Sequence, residues 1–353
     1  MIYRYEIKNN GAEDILYLYV TMTYEFSKEL EDNKTEKVKS TCKKFMKNNS
    51  INFKGDKIYL VIDGIIVKTL NINEENSTKE NEKATIDLSN DNFYVNLHYS
   101  NNNTVKMTLK NYLLGVLATN TMENLELTTV KALCLLYRTY AYKQMKEKNY
   151  IEAVNPYQIY KPFSYYKIFW NEKYNDYHNK FVKAIEDTDK EFITYNNKYI
   201  DPYIHISNNG YTDNNKNVPY LEKRPSLWDY ASPYYLEIKD FTNQEMKNIF
   251  NIDKDNLKNI NILEVSESNY IRKIKIGNNE YTGEMLKQKL NLRSTDITII
   301  INPTYIRFIT KGWGNNLGIS QFGANEIAKA GCSYTSILKY YFPKITIKKY
   351  IQK

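Results

Sequence analysis

The strongest chemical character lies in residues 310–324, which read Thr-Lys-Gly-Trp-Gly-Asn-Asn-Leu-Gly-Ile-Ser-Gln-Phe-Gly-Ala. Gly312, Gly314 and Gly318 frame a single tryptophan, Trp313. Glycine serves where the backbone needs positive φ or must pass close to another group. From Ser320 onward the run takes on a helical pattern. A Gly-rich turn that opens a helix presents unpaired N–H groups at the positive end of the helix dipole, which suits an anionic or strongly polar ligand. A tight strand-to-helix connection around a packed Trp has the same signature.

Other candidates are sparse. His205 sits in a short apolar run ending in the Asn208-Asn209-Gly210 turn. A lone His is more often a satisfied structural residue than a catalyst, although strand ends beside turns are common places for sites. Arg138 follows Tyr137 at the edge of an apolar helical stripe, where the ordinary reading is a solvated or ion-paired side chain. Cys42, Cys134 and Cys332 each stand alone in their segments. Neither a disulfide framework nor a zinc site follows from that spacing, and no metal or cofactor is expected. Cys134 falls at an apolar helical position and reads as core.

These residues must be positioned by a chain of 353 residues, long enough for about two domains. Strand character at Tyr3–Ile7, Ile15–Thr23, Lys57–Ile62 and Ile65–Leu70, with helix within Glu25–Lys47, gives a small α/β domain over 1–73. Asp63-Gly64 between two β-rich runs is a hairpin signal. The polar, aperiodic stretch 74–84 reads as a linker, leaving 85–353 as the second domain. There, strands at Phe93–His98, Val105–Leu109, Glu191–Tyr195 and Asp296–Ile301 alternate irregularly with helices. The helices are expected at Leu127–Ala141 (N-cap Thr128), Tyr177–Thr188, Thr242–Phe250, Thr282–Leu290 and Thr335–Phe342. Val130, Leu133, Cys134, Tyr137 and Ala141 make one helical face. Residues 150–175 form an irregular aromatic segment. The fold class is α+β rather than a doubly wound sheet.

The net charge of +8 favours an anionic partner. The basic residues are dispersed, so no nucleic-acid arm is expected. No basic segment followed by a long apolar run opens the chain, and no 18-residue apolar run occurs, so neither signal peptide nor membrane span is expected. On that pattern the expectation is a cytoplasmic chain.

Two segments resemble the SpoIID/LytB family, the stage II sporulation protein D and amidase enhancer group. Residues 112–120 (Tyr-Leu-Leu-Gly-Val-Leu-Ala-Thr-Asn), continuing without a gap into 127–132 and the Arg138-Thr-Tyr-Ala141 run, resemble the family's Y-V-V-G-V-V-A-A-E-M-P, L-E-A-L-K-A and A-R-T-Y-A. Residues 312–324 resemble its G-W-G-H-G-V-G-M-S-Q-Y-G-A. Weaker resemblances join them at 205–212, at Leu292-Arg-Ser-Thr295 and at 331–343. The resemblance covers about 93–348 and leaves 1–73 outside.

The resemblance implies a role in peptidoglycan metabolism, often in sporulation, with no cofactor. It implies lytic transglycosylase chemistry, in which one glutamate protonates the glycosidic oxygen and ring closure gives a 1,6-anhydro product. Such a step needs one titratable acid within hydrogen-bond reach, not the carboxylate pair of ordinary glycosidases. The resemblance places Asn120 at that glutamate and Asn315 at the motif's histidine, with Asn316 at the next glycine. An amide donates no proton, and losing a general acid costs on the order of 10²–10⁴ in rate. Asn120, Arg138, His205, Trp313, Asn315, Ser320 and Gln321 then form a candidate set for holding a glycan strand, since amides bond sugar hydroxyls and acetamido groups. The expectation leans against an enzyme. Glu123, as a relocated acid, would make it active, and an interaction or scaffold protein docking a partner through 1–73 is the third reading; the partners expected are glycan strands or a cell-wall enzyme. A wall role conflicts with the missing export signal.

Overall fold

Alternation in 15–20 sets Leu16 and Leu18 on one face, and both are fully buried. They belong to a sheet ordered β1 (Ile2–Asn9), β2 (Asp14–Val20), β3 (Lys57–Ile62) and β4 (Ile65–Asn71). The β1/β2 and β3/β4 pairs are antiparallel, whereas β2/β3 is parallel and is bridged by helix α1 (Thr35–Asn48). A parallel pair needs such a crossover. Cys42 on α1 packs against Ile2, Leu16, Leu18, Ile58, Leu60 and Leu70, and burial pushes its thiol up to about 12.

The computed structural model describes residues 2–9, 14–20, 35–51, 53, 57–62, 65–71, 93–99, 103–252 and 259–350. The expected 63–64 turn and 74–84 linker lie outside them. Chain contacts divide the molecule into two units. One comprises Met1–Asn120, Tyr140–Glu186 and Tyr350–Lys353; the other comprises Thr121–Thr139 and Asp187–Lys349.

The first unit also holds β5 (Tyr94–His98), β6 (Thr104–Thr108) and β7 (Ile151–Glu152), ordered β6-β5-β7, and the hairpin of β8 (Val154–Asn155) with β9 (Gln158–Ile159). Helix α2 (Leu109–Asn120) is buried from Tyr112 to Ala118. Gly115 is needed there because a Cβ would meet the Tyr160 ring at 2.4 Å and the Lys161 carbonyl at 2.5 Å. Helix α3 (Leu127–Lys148) contributes residues to both units, and α4 (Tyr174–Asp187) follows. The single apolar face expected for α3 is corrected, since residues 132–142 are buried on every side. Its expected cap is also corrected. The helix begins at Leu127, which puts Thr128 inside the first turn, and the Glu126 N–H donates to Asn325 Oδ1 at 2.7 Å.

In the second unit β10 (Glu191–Tyr195) turns through Asn196 and Asn197, both at positive φ, into β11 (Lys198–Tyr199). Next come β12 (Ile204–His205), β13 (Leu236–Thr242), helix α5 (Asn243–Phe250), β14 (Ile260–Val265), β15 (Ile271–Ile276), β16 (Asn279–Thr282) and helix α6 (Gly283–Lys289). Then follow β17 (Ile297–Ile301), β18 (Tyr305–Lys311), β19 (Ile319–Ser320), helix α7 (Gln321–Lys329), helix α8 (Tyr334–Tyr341) and β20 (Thr346–Lys349). Thr242 caps α5 in a full capping box with Glu245. The sheets β13-β18-β17 and β14-β15-β16 enclose a core around Met246, Ile274, Leu286, Ile306 and Phe308. Small sheets with helices interspersed make the fold α+β.

Candidate functional site

The Gly-rich loop lies directly on the 203–208 segment. β12 and β19 pair in parallel, Ile204 with Ile319 and His205 with Ser320. Ser207 and Trp313 form an antiparallel bridge, the Trp313 N–H donating to the Ser207 carbonyl at 2.8 Å. A Cβ on Gly312 would stand 2.7 Å from Asn208 Cα, one on Gly314 2.4 Å from His205 Cβ, and one on Gly318 2.2 Å from the Tyr203 carbonyl. All three glycines have positive φ. Their close approach is therefore to the protein's own backbone.

Ser320 caps α7, its Oγ accepting from the Gly323 N–H at 3.1 Å while donating to Asp229 Oδ1 at 2.7 Å. Asp229 is fully buried. Its other oxygen accepts from Ser226 Oγ at 2.5 Å, and Ser226 Oγ also meets Tyr341 Oη at 2.9 Å. Burial lifts the Asp229 carboxyl to about 6, against the pull of hydrogen bonds from Ser226, Ser320 and Asn208. Gly323 makes room for this cluster, since a Cβ there would stand 2.4 Å from both Ser226 Oγ and Tyr341 Oη.

His205 is buried and committed at both nitrogens. Nδ1 lies 3.0 Å from the Leu317 carbonyl and Nε2 lies 3.1 Å from Asn208 Nδ2. Asn208 Oδ1 accepts from the Gly210 N–H at 2.8 Å, which turns its NH₂ toward the ring. The imidazole therefore carries its proton on Nδ1, donates to Leu317 and accepts from Asn208. Desolvation lowers its pKa to about 4, opposed by the Leu317 bond.

Gln321 is buried and its Oε1 accepts from the Met122 N–H at 2.7 Å. Arg138 is also buried, donating to the Thr188 carbonyl and, at 2.8 Å, to Thr188 Oγ1. Trp313 is half-buried between the Arg293 guanidinium, 4.6 Å from its centroid, and the Tyr234 ring at 5.3 Å. Asn315 is exposed, with Oδ1 accepting from the Leu317 N–H at 3.1 Å. Glu123 is exposed. The second unit thus gathers His205, Trp313, Asn315, Ser320 and Gln321 around one loop, while Arg138 serves Thr188.

Asn120 belongs to the first unit, at the last residue of α2. Its Nδ2 donates to the Val116 and Ile159 carbonyls, both at 2.7 Å, and its Oδ1 accepts from the Ile159 N–H at 2.9 Å. The carboxamide thus pairs with the backbone of β9 as a neighbouring strand would.

The comparisons agree with this pattern of segments. The family model described as Stage II sporulation protein matches residues 98–195. Stage II sporulation protein D of Bacillus amyloliquefaciens is 28% identical over 264 residues, covering 71% of this chain and 77% of that protein. Its namesake in Bacillus subtilis (strain 168) is 28% identical over 257 residues, covering 69% and 75%. The Amidase enhancer of Bacillus subtilis (strain 168) is 41% identical over 58 residues, covering 16% of this chain and 8% of that protein. The chain is thus similar to the stage II sporulation protein D and amidase enhancer group. No helix among the described residues is long and apolar enough to cross a membrane.

Along the glycine loop, Gly312, Asn316 and Gly318 are buried, Trp313, Gly314 and Leu317 are half-buried, and Asn315 is exposed. Sequence reasoning missed Asp229 and Asn208. The Ser226-x-x-Asp229 spacing before the short 3-10 turn Leu227–Ala231 was the available signal. Asn208 was read only as part of a turn.

Proposed function

We propose that this chain is a SpoIID/LytB-family protein that holds a peptidoglycan glycan strand, or a cell-wall partner, without cleaving it. The supporting observation is the pairing of Asn120. At the position the family resemblance assigns to the acid, the side chain donates to two carbonyls. A carboxylate has no donor for either. The site therefore uses an amide as an amide, rather than carrying one as an inert scar. The Arg293 guanidinium over the Trp313 ring and the exposed Asn315 on the same loop offer polar groups to which sugar hydroxyls could bond.

Incubation with glycan strands stripped of stem peptides tests the reading. We expect retention of the strands by the protein and no 1,6-anhydro products. Formation of anhydro products that is abolished by Glu123→Gln would overturn it in favour of an active enzyme with a relocated acid.

A further inference from the structure

Residues 161–173 read Lys-Pro-Phe-Ser-Tyr-Tyr-Lys-Ile-Phe-Trp-Asn-Glu-Lys and lie within the first unit. They form two short helical turns, Phe163–Tyr166 and Lys167–Trp170. Phe163 is the buried anchor, with the rings of Tyr174, His178, Trp170 and Phe181 centred 4.9, 5.2, 5.5 and 6.0 Å from its own. The opposite side of the turn faces outward. Ile168 is 88% exposed, Phe169 67% and Tyr165 45%. Their i, i+3, i+4 spacing puts the three on one face. Single exposed apolar residues are ordinary, but a contiguous apolar tip marks an interaction surface.

The charge around the tip is one-sided. Between 161 and 183 stand Lys161, Lys167, Lys173, Lys180 and Lys183, against Glu172 and Asp176. Lys161 Nζ lies 4.3 Å over the Tyr165 ring. Behind the tip, Trp170 stacks on Tyr166 at 4.7 Å.

We propose that this knob is a membrane-docking element that inserts Ile168 and Phe169 into the interface of an anionic bilayer, with the lysine collar at headgroup level. Anionic lipid complements the collar. Tyr and Trp just behind an apolar tip suit the headgroup depth. Ile168, the most exposed of the three, is aliphatic and adds nothing to sugar stacking, which uses flat rings. A single turn is also far smaller than the roughly 800 Å² per partner of a stable dimer interface. The proposal is independent of the glycan reading.

The test is co-sedimentation of the full chain with vesicles of phosphatidylcholine alone and of phosphatidylcholine mixed with phosphatidylglycerol. We expect binding to the mixed vesicles, weak binding to the zwitterionic ones, and release by high salt. The double variant Ile168→Ser with Phe169→Ser should weaken partitioning on the order of tenfold or more. Its unfolding midpoint should match the parent's, because both side chains are exposed. Lys161→Gln with Lys167→Gln should remove much of the preference for anionic lipid. Failure of the parent to bind either vesicle overturns the proposal, as does equal binding by the Ser variant. Self-association or glycan retention that depends on Ile168 and Phe169 in the absence of vesicle binding overturns it too, in favour of a second copy or a glycan as occupant.

Discussion

Asn120→Asp changes one NH₂ to an oxygen without changing shape. The acceptor side survives, because the Ile159 N–H still has an oxygen at 2.9 Å. The donor side inverts, placing a carboxylate oxygen where Nδ2 stands 2.7 Å from the Val116 and Ile159 carbonyls. Two donated bonds are lost, at about 0.5–1.5 kcal/mol net each. Repulsion by two carbonyl dipoles adds to this, and partial solvent exposure of the pair screens it. The sum is about 2–3 kcal/mol at neutral pH, or a fall of roughly 4–12 °C in Tm for a cooperative unit of this size. Asn120→Ala loses all three bonds but introduces no repulsion and admits water, so it should cost less than Asp, about 1–2 kcal/mol. The introduced carboxyl is disfavoured as an anion in the fold, so its folded pKa is raised. The folded state then binds the proton more readily, and the deficit of the Asp variant is full above that pKa and shrinks as pH falls. Thermal or urea unfolding of parent, Ala and Asp variants at neutral and acidic pH reads these differences. An Asp variant as stable as the parent at neutral pH would refute the bridging role of the amide, and with it the main support for a non-cleaving site.

Three further outcomes follow from the buried cluster. Gly323→Ala drives a Cβ to 2.4 Å from Ser226 Oγ and Tyr341 Oη and should cost more than ~2 kcal/mol, whereas Gly331→Ala, at φ +87° with open space around it, should cost about 1 kcal/mol. The reverse order in melting experiments would contradict the packing account. Asp229, raised by burial from 3.8 to about 6, stabilises the fold most below its unfolded pKa and loses that contribution as pH rises through 6. Unfolding free energies of parent minus Asp229→Asn should therefore fall by about 2 kcal/mol between pH 4 and 7, and a flat difference would be the wrong result. His205, lowered from 6.5 to about 4, contributes stability above 6.5 that is lost as pH falls toward 4. Parent minus His205→Gln should slope the opposite way by about 3 kcal/mol, and imidazole titration by NMR near pH 6.5 in the folded chain would refute it.

Local rules carried much of the fold. The Asn196-Asn197 turn, the α5 and α6 boundaries and Gly331 past α7 all follow from cap and turn chemistry that acts within a few residues. Helix α3 was misread in burial because residues distant in sequence cover its other faces, which periodicity within the helix does not report. It begins at Leu127 as expected, but Thr128 is not its cap. Asn325, 199 positions from Glu126, accepts from the Glu126 N–H just ahead of the helix. The partners of the candidate residues were not legible. Asn120 and Ile159 are 39 residues apart, and the Asp229–Ser320 bond spans 91. Pairings at those separations have no signature in a single chain.

That separation between position and role bears on what a preserved motif means. Gly312, Gly314 and Gly318 are each fixed by the Tyr203–Asn208 backbone beneath them, and Gly323 by Ser226, Tyr341 and Asp229. Every one of these constraints would operate in a protein that never touched a glycosidic bond, because a Cβ at any of the four collides with the protein itself. Ser320 and Gln321 are similarly occupied, one with Asp229 and the other with Met122. Survival of the loop is therefore the expected result of folding alone and carries no weight for or against catalysis. The weight falls on positions where the fold leaves chemistry a choice. Asn315 is exposed, and nothing about its single bond to the Leu317 N–H requires an amide over a carboxylate. Asn120 does require one, since its Nδ2 donates to two carbonyls. Asn120→Glu would thus remove the donated bonds to the Val116 and Ile159 carbonyls at the same time as it supplied an acid.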